Sequence, residues 1–184
     1  MLEVMRRQDK RLITGEGAPW KGALAGLIGG LAASWVMNRL HEPLANASEI
    51  VVASTTGRRW EPPPPNGEDA TIKTAEAIAQ TFLDRRLTKE ARATAGPIVH
   101  YAFGSGVGAA YGALAELAPH ATAVWGLPFG AALWFGADEV AVPALGLSGP
   151  PREYPPAIHL SALAAHLVYG FTTDAVRRLL RLAL

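Results

Sequence analysis

The charged residues of this chain are distributed so unevenly that they restrict its fold. Between Gly96 and Val176 there are only five acidic residues and one basic residue, Arg152, and most other charges lie before or after this region. Such a distribution is expected where part of a chain lies in a lipid bilayer, because charge is costly there. Glycine and alanine are abundant in the same region, and small residues are common in transmembrane helices because they let backbones approach closely.

Four stretches of the chain are candidate membrane spans, at about 21–40, 97–117, 121–145 and 157–178. A bilayer core of ~30 Å is crossed by about 20 apolar residues in helical conformation. The stretches are apolar nearly all round, whereas the helices of a soluble core are typically amphipathic. We therefore predict an all-α fold: a polytopic membrane protein with four transmembrane helices, forming a single membrane domain over residues 1–184.

The first span also has some features of a secretory signal peptide. Basic residues precede it, and Ala45-Asn46-Ala47 resembles a cleavage site. However, Arg39, His41 and Glu42 lie between the apolar run and that site. We therefore expect this segment to be retained as a membrane span.

The basic residues near the span ends predict the orientation of the chain. Lysine and arginine close to a span favour the cytoplasmic side. Basic residues lie before the first span and after the fourth: Arg6, Arg7, Lys10, Arg11, Lys21, Arg177, Arg178 and Arg181. Four spans place both termini on one side, so both are predicted to be cytoplasmic, with residues 1–20 as a cytoplasmic N-terminal segment.

The loop between the first two spans, residues 41–95, is predicted to lie outside. Its segment Glu61–Asp69 contains four prolines and is expected to be extended. Residues 70–94 read as an outer amphipathic helix, with Asp69 as a candidate N-cap. Such a helix next to a span can lie on the membrane interface, or it can cap the bundle or contact a partner; the sequence leaves both open.

Glycines recur every four residues in three of the candidate spans. This spacing creates a flat face against which another helix can lie closely, within the chain or between chains. The sequence therefore predicts helix-packing faces at Gly22, Gly26, Gly30, Gly104, Gly108, Gly112, Gly126 and Gly130.

Two adjacent carboxylates interrupt the third span and raise a functional question. In the predicted topology they fall in the outer half of the bundle together with three histidines, giving a polar intramembrane cluster of His100, Asp138, Glu139, His159 and His166. Carboxylates beside imidazoles can form a proton relay or pH-responsive pair, a metal site, or a structural hydrogen-bonded clasp. Because Asp138 and Glu139 are ~100° apart on an α-helix, only one is expected to point squarely at the bundle axis.

Polar residues also lie near the predicted inner ends of the spans. They are expected to pair or to reach the interface, where the cost of charge is low. This group consists of Glu116, His120, Asp174, Arg177 and Arg178.

Several classes of function are not supported by the sequence. The chain has no cysteine, which excludes disulfides and thiolate chemistry. Its 17 Lys+Arg against 16 Asp+Glu give no basic excess, and we expect no nucleic-acid partner. No nucleophile elbow surrounds Ser105 or Ser161, and Gly104–Gly108 lacks the lysine of a phosphate loop. We expect no catalytic residue, no metal and no cofactor.

Short motifs along most of the chain resemble the YagU-like family of bacterial inner-membrane proteins, whose biochemical function is unknown. The resemblance implies a polytopic protein of the inner membrane, with a loose link to acid resistance. In that family the position of Asp138 can hold histidine, and Glu139 lies outside its signature. The matching residues are Gly26-Leu27-Ile28-Gly29-Gly30, Glu42-Pro43, His100, Gly112, Ala115-Glu116, Pro119, Gly130-Ala131, Pro143, Gly146-Leu147, Pro150-Pro151, His166-Leu167-Val168 and Arg177-Arg178.

Two functional hypotheses follow from the sequence. The first is a small inner-membrane protein with a structural or accessory role, whose partners are the lipid bilayer and other membrane subunits or copies of itself, contacted through the glycine faces. The alternative is a proton-linked or pH-responsive membrane protein that uses the outer His/carboxylate cluster. The first is slightly favoured because no catalytic constellation is specific.

Overall fold

A computed structural model describes residues 18–59 and 70–184, and within these ranges the chain is all-helical, with 88% of residues in helices and no strand. The α-helices are α1 (Pro19–Thr56), α2 (Ala70–Leu83), α3 (Lys89–Leu117), α4 (Leu127–Trp134), α5 (Val142–Ala144) and α6 (Pro156–Ala183). Turns of 3₁₀-helix cover Pro119–Gly126 and Pro151–Glu153, and a π-helix covers Phe135–Ala141. The all-α prediction is confirmed for the described residues.

The helices α1 and α3 cross in antiparallel contact through their glycines. A β-carbon added at Gly26 would collide with the carbonyl oxygen of Gly108, and the same holds for Gly22 against Gly112 and Gly30 against Gly104. The backbones are therefore as close as helices can come, and only glycine fits at these crossing points. The predicted faces of the first and second spans thus meet each other within one chain.

A second side of α1 contacts α6. A β-carbon at Gly29 would lie 2.7 Å from the carbonyl oxygen of Thr173, and Ala25 and Ala33 are completely buried. The third glycine face also packs against α6: Gly126 lies against the backbone of Gly170, and Gly130 against that of His166. The helix order across the bundle is therefore α3, α1, α6, α4.

The segment predicted as the third span, 121–145, is broken in the structure. Val124 and Trp125 have left-handed backbone angles (φ 49° and 56°), which interrupt the helix before Gly126. Pro128 then occupies the first turn of α4, where a missing N–H is tolerated. After Trp134 the helix continues as the wider π-helix, and this segment ends with the single turn of α5.

The loop predicted at 41–95 contains more helix than expected. The helix α1 does not stop near residue 40 but continues through Pro43 to Thr56, where Gly57 ends it with φ 68°. The amphipathic segment predicted over 70–94 is split: α2 ends at Leu83, Asp84 takes φ 48°, and Thr88 caps a new helix, α3. The proline-rich segment Glu61–Asp69, with its candidate N-cap, lies outside the described residues.

Small residues fill the interior of the bundle and large apolar residues cover its outside. Among the described residues, the buried apolar side chains are alanines, Val52, Tyr111 and Tyr169, with no buried leucine, isoleucine, phenylalanine or tryptophan. The exposed large hydrophobics occur on every long helix and include Leu24, Leu27, Leu31, Trp35, Ile98, Phe103, Leu114, Leu160, Phe171 and Leu179. This distribution is the reverse of that in a soluble globular core.

One helix among the described residues, α1, is both long and apolar enough to cross a membrane. A single helix that is long and apolar can be a membrane span, the buried core helix of a soluble protein or a signal sequence near an N-terminus. By this criterion one of the four predicted spans is supported.

Candidate functional site

The two carboxylates Asp138 and Glu139 both lie in the π-helix Phe135–Ala141. A π-turn closes i→i+5 hydrogen bonds and so takes more residues than an α-turn, and such segments are frequent at functional sites. Successive side chains are therefore separated by less than the ~100° of an α-helix. This explains why both carboxylates face histidines of α6, where an α-helix was expected to direct only one of them inward.

Glu139 and His159 form the closer of two carboxylate–imidazole pairs. Glu139 Oε1 lies 2.5 Å from His159 Nδ1, and His159 Nε2 lies 3.0 Å from the carbonyl oxygen of Pro151. A carbonyl only accepts hydrogen bonds, so Nε2 carries a proton and donates it. The contact between Nδ1 and Oε1 then holds one further proton, either on the imidazole as an ion pair or on the carboxyl of a neutral pair.

Asp138 and His166 form a looser pair. Their closest nitrogen and oxygen, Nδ1 and Oδ2, are 3.6 Å apart, which is beyond hydrogen-bonding distance. The same Nδ1 lies 2.9 Å from the carbonyl oxygen of Ala162 and donates to it. The imidazole of His166 is thus held by its own helix, buried to 8% exposure, while the carboxylate of Asp138 interacts with it at longer range.

His100 does not join these pairs. It lies on α3, where its neighbours belong to α1 and α2, and it lines a cavity with Asn38, His41 and Thr71. The sequence placed His100 at the same membrane depth as Asp138, but depth alone does not fix which side of a helix faces which neighbour. The predicted five-residue cluster is therefore divided into two pairs on α6 and one separate histidine.

A network of charges lies at the opposite end of the bundle. Asp174 is completely buried and accepts hydrogen bonds from Arg177 (2.9 Å) and Arg178 (2.6 Å). Glu116 accepts two bonds from Arg181, at 2.7 and 3.0 Å, and this pairing raises the pKa of the Arg181 guanidinium. These groups pair as the sequence suggests, although Asp174 lies in the interior instead of at an interface.

Two contributors to this end of the molecule were missed by the sequence reasoning. Gly170 lies against the backbone of Gly126. A glycine inside the apolar run of α6 could have indicated this contact, because glycine weakens a helix and is expected there only where close packing requires it. Trp125 supports the guanidinium of Arg178, which lies 4.8 Å from its ring centre, while Arg178 also donates to the carbonyl oxygen of Thr122. His120, predicted to join the network, is exposed.

The described residues contain no group of three or more histidine, cysteine, aspartate or glutamate side chains placed to hold a metal ion. The two carboxylate–imidazole pairs offer imidazole nitrogens and carboxylate oxygens, but as separate pairs. Glu139 and His159 are hydrogen-bonded to each other, whereas Asp138 and His166 are not.

Comparison with known proteins identifies a family of unknown function. The model of the family described as "Protein of unknown function (DUF1440)" matches residues 47–175, and the chain belongs to this family. The match includes the end of α1 from Ala47, the helices α2 to α5, the π-helix and α6 as far as Ala175. No curated protein and no solved structure matches the chain.

Proposed function

We propose that this chain is a polytopic integral protein of a bacterial inner membrane, with four membrane-crossing segments and both termini in the cytoplasm, and that it serves as a non-catalytic accessory subunit of a larger membrane assembly. The more specific relation to the YagU-like proteins is part of this proposal. The partners are the lipid bilayer and other membrane subunits, and no nucleic acid is involved.

The reversed distribution of side chains supports the membrane part of the proposal. In water, exposed leucines, phenylalanines and tryptophans on every long helix would form a patch far larger than monomeric soluble proteins expose. In lipid the same surface is solvated by acyl chains, and close packing of small residues holds the helices together. The interior of this bundle consists largely of such small residues, with the buried ion pair of Asp174 and Arg177 at one end.

The length of α1 supports the accessory part of the proposal, and it is the observation on which that part rests. Its 38 residues extend roughly 57 Å at 1.5 Å per residue, against a bilayer core of about 30 Å. Close to half of the helix therefore extends beyond the hydrocarbon core. Beside this projecting part, α2 and the start of α3 form an antiparallel pair, in which Ile72 lies at Gly96 and Glu76 binds Arg92 at 2.6 Å.

The projecting helices carry apolar side chains that neither lipid nor the rest of the described chain covers. Phe82 is 78% exposed, Ile50 68% and Leu83 65%. In the antiparallel pair, Phe82 and Leu83 lie six and seven residues further along α2 than Glu76, away from the bundle. Exposed apolar residues outside the bilayer are typical of a surface that contacts another protein.

Purification in mild detergent tests the accessory role. We expect the protein to elute with a partner in fixed stoichiometry, and a variant with Ile78→Ser and Phe82→Ser to lose that partner. The matched control is Gln80→Ser, an exposed position on the other flank of α2. Elution as a lone monomer or homodimer, or a partner retained by the double variant, would contradict the proposal.

The Glu139–His159 contact favours a second candidate, a proton-linked or pH-responsive membrane protein. A single proton holds Glu139 Oε1 to His159 Nδ1 while the carbonyl oxygen of Pro151 holds Nε2, so loss of that proton at higher pH breaks the contact between the two side chains. Both groups are partly exposed, at 26% and 14% of the side chains. Protons can therefore reach them from one side of the bundle.

Infrared difference spectroscopy across a pH step tests this candidate. A responsive pair gives a protonated-carboxyl band that changes with pH, disappears in Glu139→Gln and persists in Glu153→Gln, an exposed carboxyl in the nearby loop. Identical spectra for both variants would leave the pair as a structural clasp.

A further inference from the structure

A cavity of about 170 Å³ lies where α1, α2 and α3 meet. Its walls are half polar and half apolar: Asn38, His41, Thr71 and His100 on the polar side, and Met37, Ile72, Gly96 and Pro97 on the apolar side. At roughly 30 Å³ per water molecule, the volume fits several waters or a small organic group. None of these residues belongs to the carboxylate–imidazole pairs or to the arginine network.

One of the histidines that line this cavity has a ring nitrogen without a hydrogen-bond partner. His100 Nε2 is buried, and no described residue donates to it or accepts from it. A buried polar nitrogen without a partner costs about 1–3 kcal/mol, so such groups are normally satisfied by protein, water or a ligand. His41 lines the same cavity from an exposed position on α1, so one imidazole lies inside and the other at the mouth.

Among the described residues that line the cavity, the titratable side chains are two histidines. Aspartate, glutamate, lysine and arginine are absent from this described part of the wall. When an imidazole is protonated in such a setting, its positive charge has no counter-ion within the wall. An anionic group in the cavity supplies that charge and accepts hydrogen bonds from the imidazole N–H groups and from the amide of Asn38.

We propose that this cavity binds an anionic oxygen group, a carboxylate or a phosphate, between His41 and His100, with the apolar wall contacting the carbon chain attached to it. The anion comes from a small free organic acid or from a phospholipid headgroup, because the cavity lies next to Pro97, where the proposed second span begins. The binding chemistry is the same for both sources.

The test uses the full chain in maltoside micelles, which contain no phosphate, with its histidines labelled with ¹⁵N. Titration with sodium propionate and, separately, with inorganic phosphate is expected to shift the Nε2 resonance of His100 saturably. His100→Gln is expected to weaken binding at least about tenfold, since a charge-assisted hydrogen bond is lost. His41→Gln, at an exposed position that folding tolerates, is expected to weaken binding about threefold to tenfold.

The control variant is His120→Gln, an exposed histidine outside the cavity, which is expected to bind propionate as the wild type does. Repeating the titration in phosphatidylglycerol nanodiscs distinguishes the two sources. Propionate that binds in micelles but is blocked in nanodiscs identifies the lipid phosphate, and equal binding in both identifies a free acid. The proposal is overturned if neither anion shifts His100, if both His41→Gln and His100→Gln bind like the control, or if Zn²⁺ shifts the resonance and the anions do not.

Discussion

A single methyl group added at Gly108 tests whether the glycine contact between α1 and α3 holds the bundle together. The new β-carbon of Gly108→Ala would lie 2.8 Å from Gly30 Cα and 3.0 Å from Gly30 N. Carbon atoms attract best at about 3.5–4.0 Å, so the two helices must separate by roughly 0.7 Å or more. Because the opposing atoms are backbone, no side-chain rotation relieves the collision.

The expected magnitude follows from two opposing terms. Overpacking costs about 1–3 kcal/mol, while replacing a helical glycine by alanine returns about 0.5–1 kcal/mol through the entropy of the unfolded chain. The substitution is therefore expected to lower the free energy of unfolding by roughly 0.5–2 kcal/mol. Only the second term applies to Gly106→Ala in the same helix, since nothing lies within 4 Å of that position.

Titration of the purified protein with SDS, followed by far-UV circular dichroism, measures both variants against the wild type. We expect Gly108→Ala to unfold at lower SDS and Gly106→Ala at equal or higher SDS. If the two variants shifted the transition in the same direction and by the same amount, the argument that backbone contact at Gly108 stabilises the bundle would be refuted.

Three further substitutions probe other parts of the molecule. Asp174→Asn leaves two buried or half-buried arginines without their carboxylate and is expected to cost about 3–5 kcal/mol in the same SDS titration. Thr88→Ala removes the side-chain cap of α3 and is expected to cost about 1 kcal/mol, seen as faster hydrogen exchange in its first turn. The pKa of Glu90 in that turn is lowered by a backbone hydrogen bond and by the side chain of Thr88. The stabilisation from the ionised carboxylate is therefore present above the ordinary pKa of 4.5 and is lost as pH falls below it. Hydrogen exchange of the turn should accelerate below that pH. Val124→Gly removes the backbone strain of a β-branched residue at φ 49° and is expected to raise the free energy of unfolding by about 1 kcal/mol. An unchanged or lower melting temperature would contradict the strain argument.

The helix-packing faces could be predicted because their signal is local. Four-residue spacing of glycines marks one side of a helix whatever its partner is. The partner could not be read from the spacing, because the antiparallel match of Gly26 with Gly108 depends on how the two helices are offset along their axes. Gly29 was missed for a related reason: it packs against α6 on a second side of α1, where no repeated spacing marks a face.

The interrupted third segment was predictable only in part. Pro128 and Pro143 indicate that the third span kinks or ends, whereas in the structure Pro128 lies in the first turn of a new helix, α4. The left-handed residues Val124 and Trp125 carry no such signal, since both are residues that rarely adopt this conformation. The π-helix is equally unmarked, and it decides how Asp138 and Glu139 are directed.

The candidate site was predicted as a group of residues at one depth in the bundle. In the structure the side chains lie on different sides of their helices and therefore do not form one cluster. His159 and His166 were predicted near the two carboxylates, and each faces one of them in the π-helix. Predicting the neighbours of His100 required knowledge of which helices α3 contacts. That information lies in long-range packing, which no local pattern in this sequence contains.

The double contact of α1 restricts how this helix can move. Gly26 is in contact with α3 and Gly29 with α6, and turning the helix by one residue would bring Leu27 or Ile28 against a backbone that accepts only glycine. Rotation about the axis is therefore blocked. The helix α1 continues from the bundle into its projecting part through Pro43, where a backbone hydrogen bond is missing, so a force applied near Val52 is expected to bend the helix there before it moves the bundle.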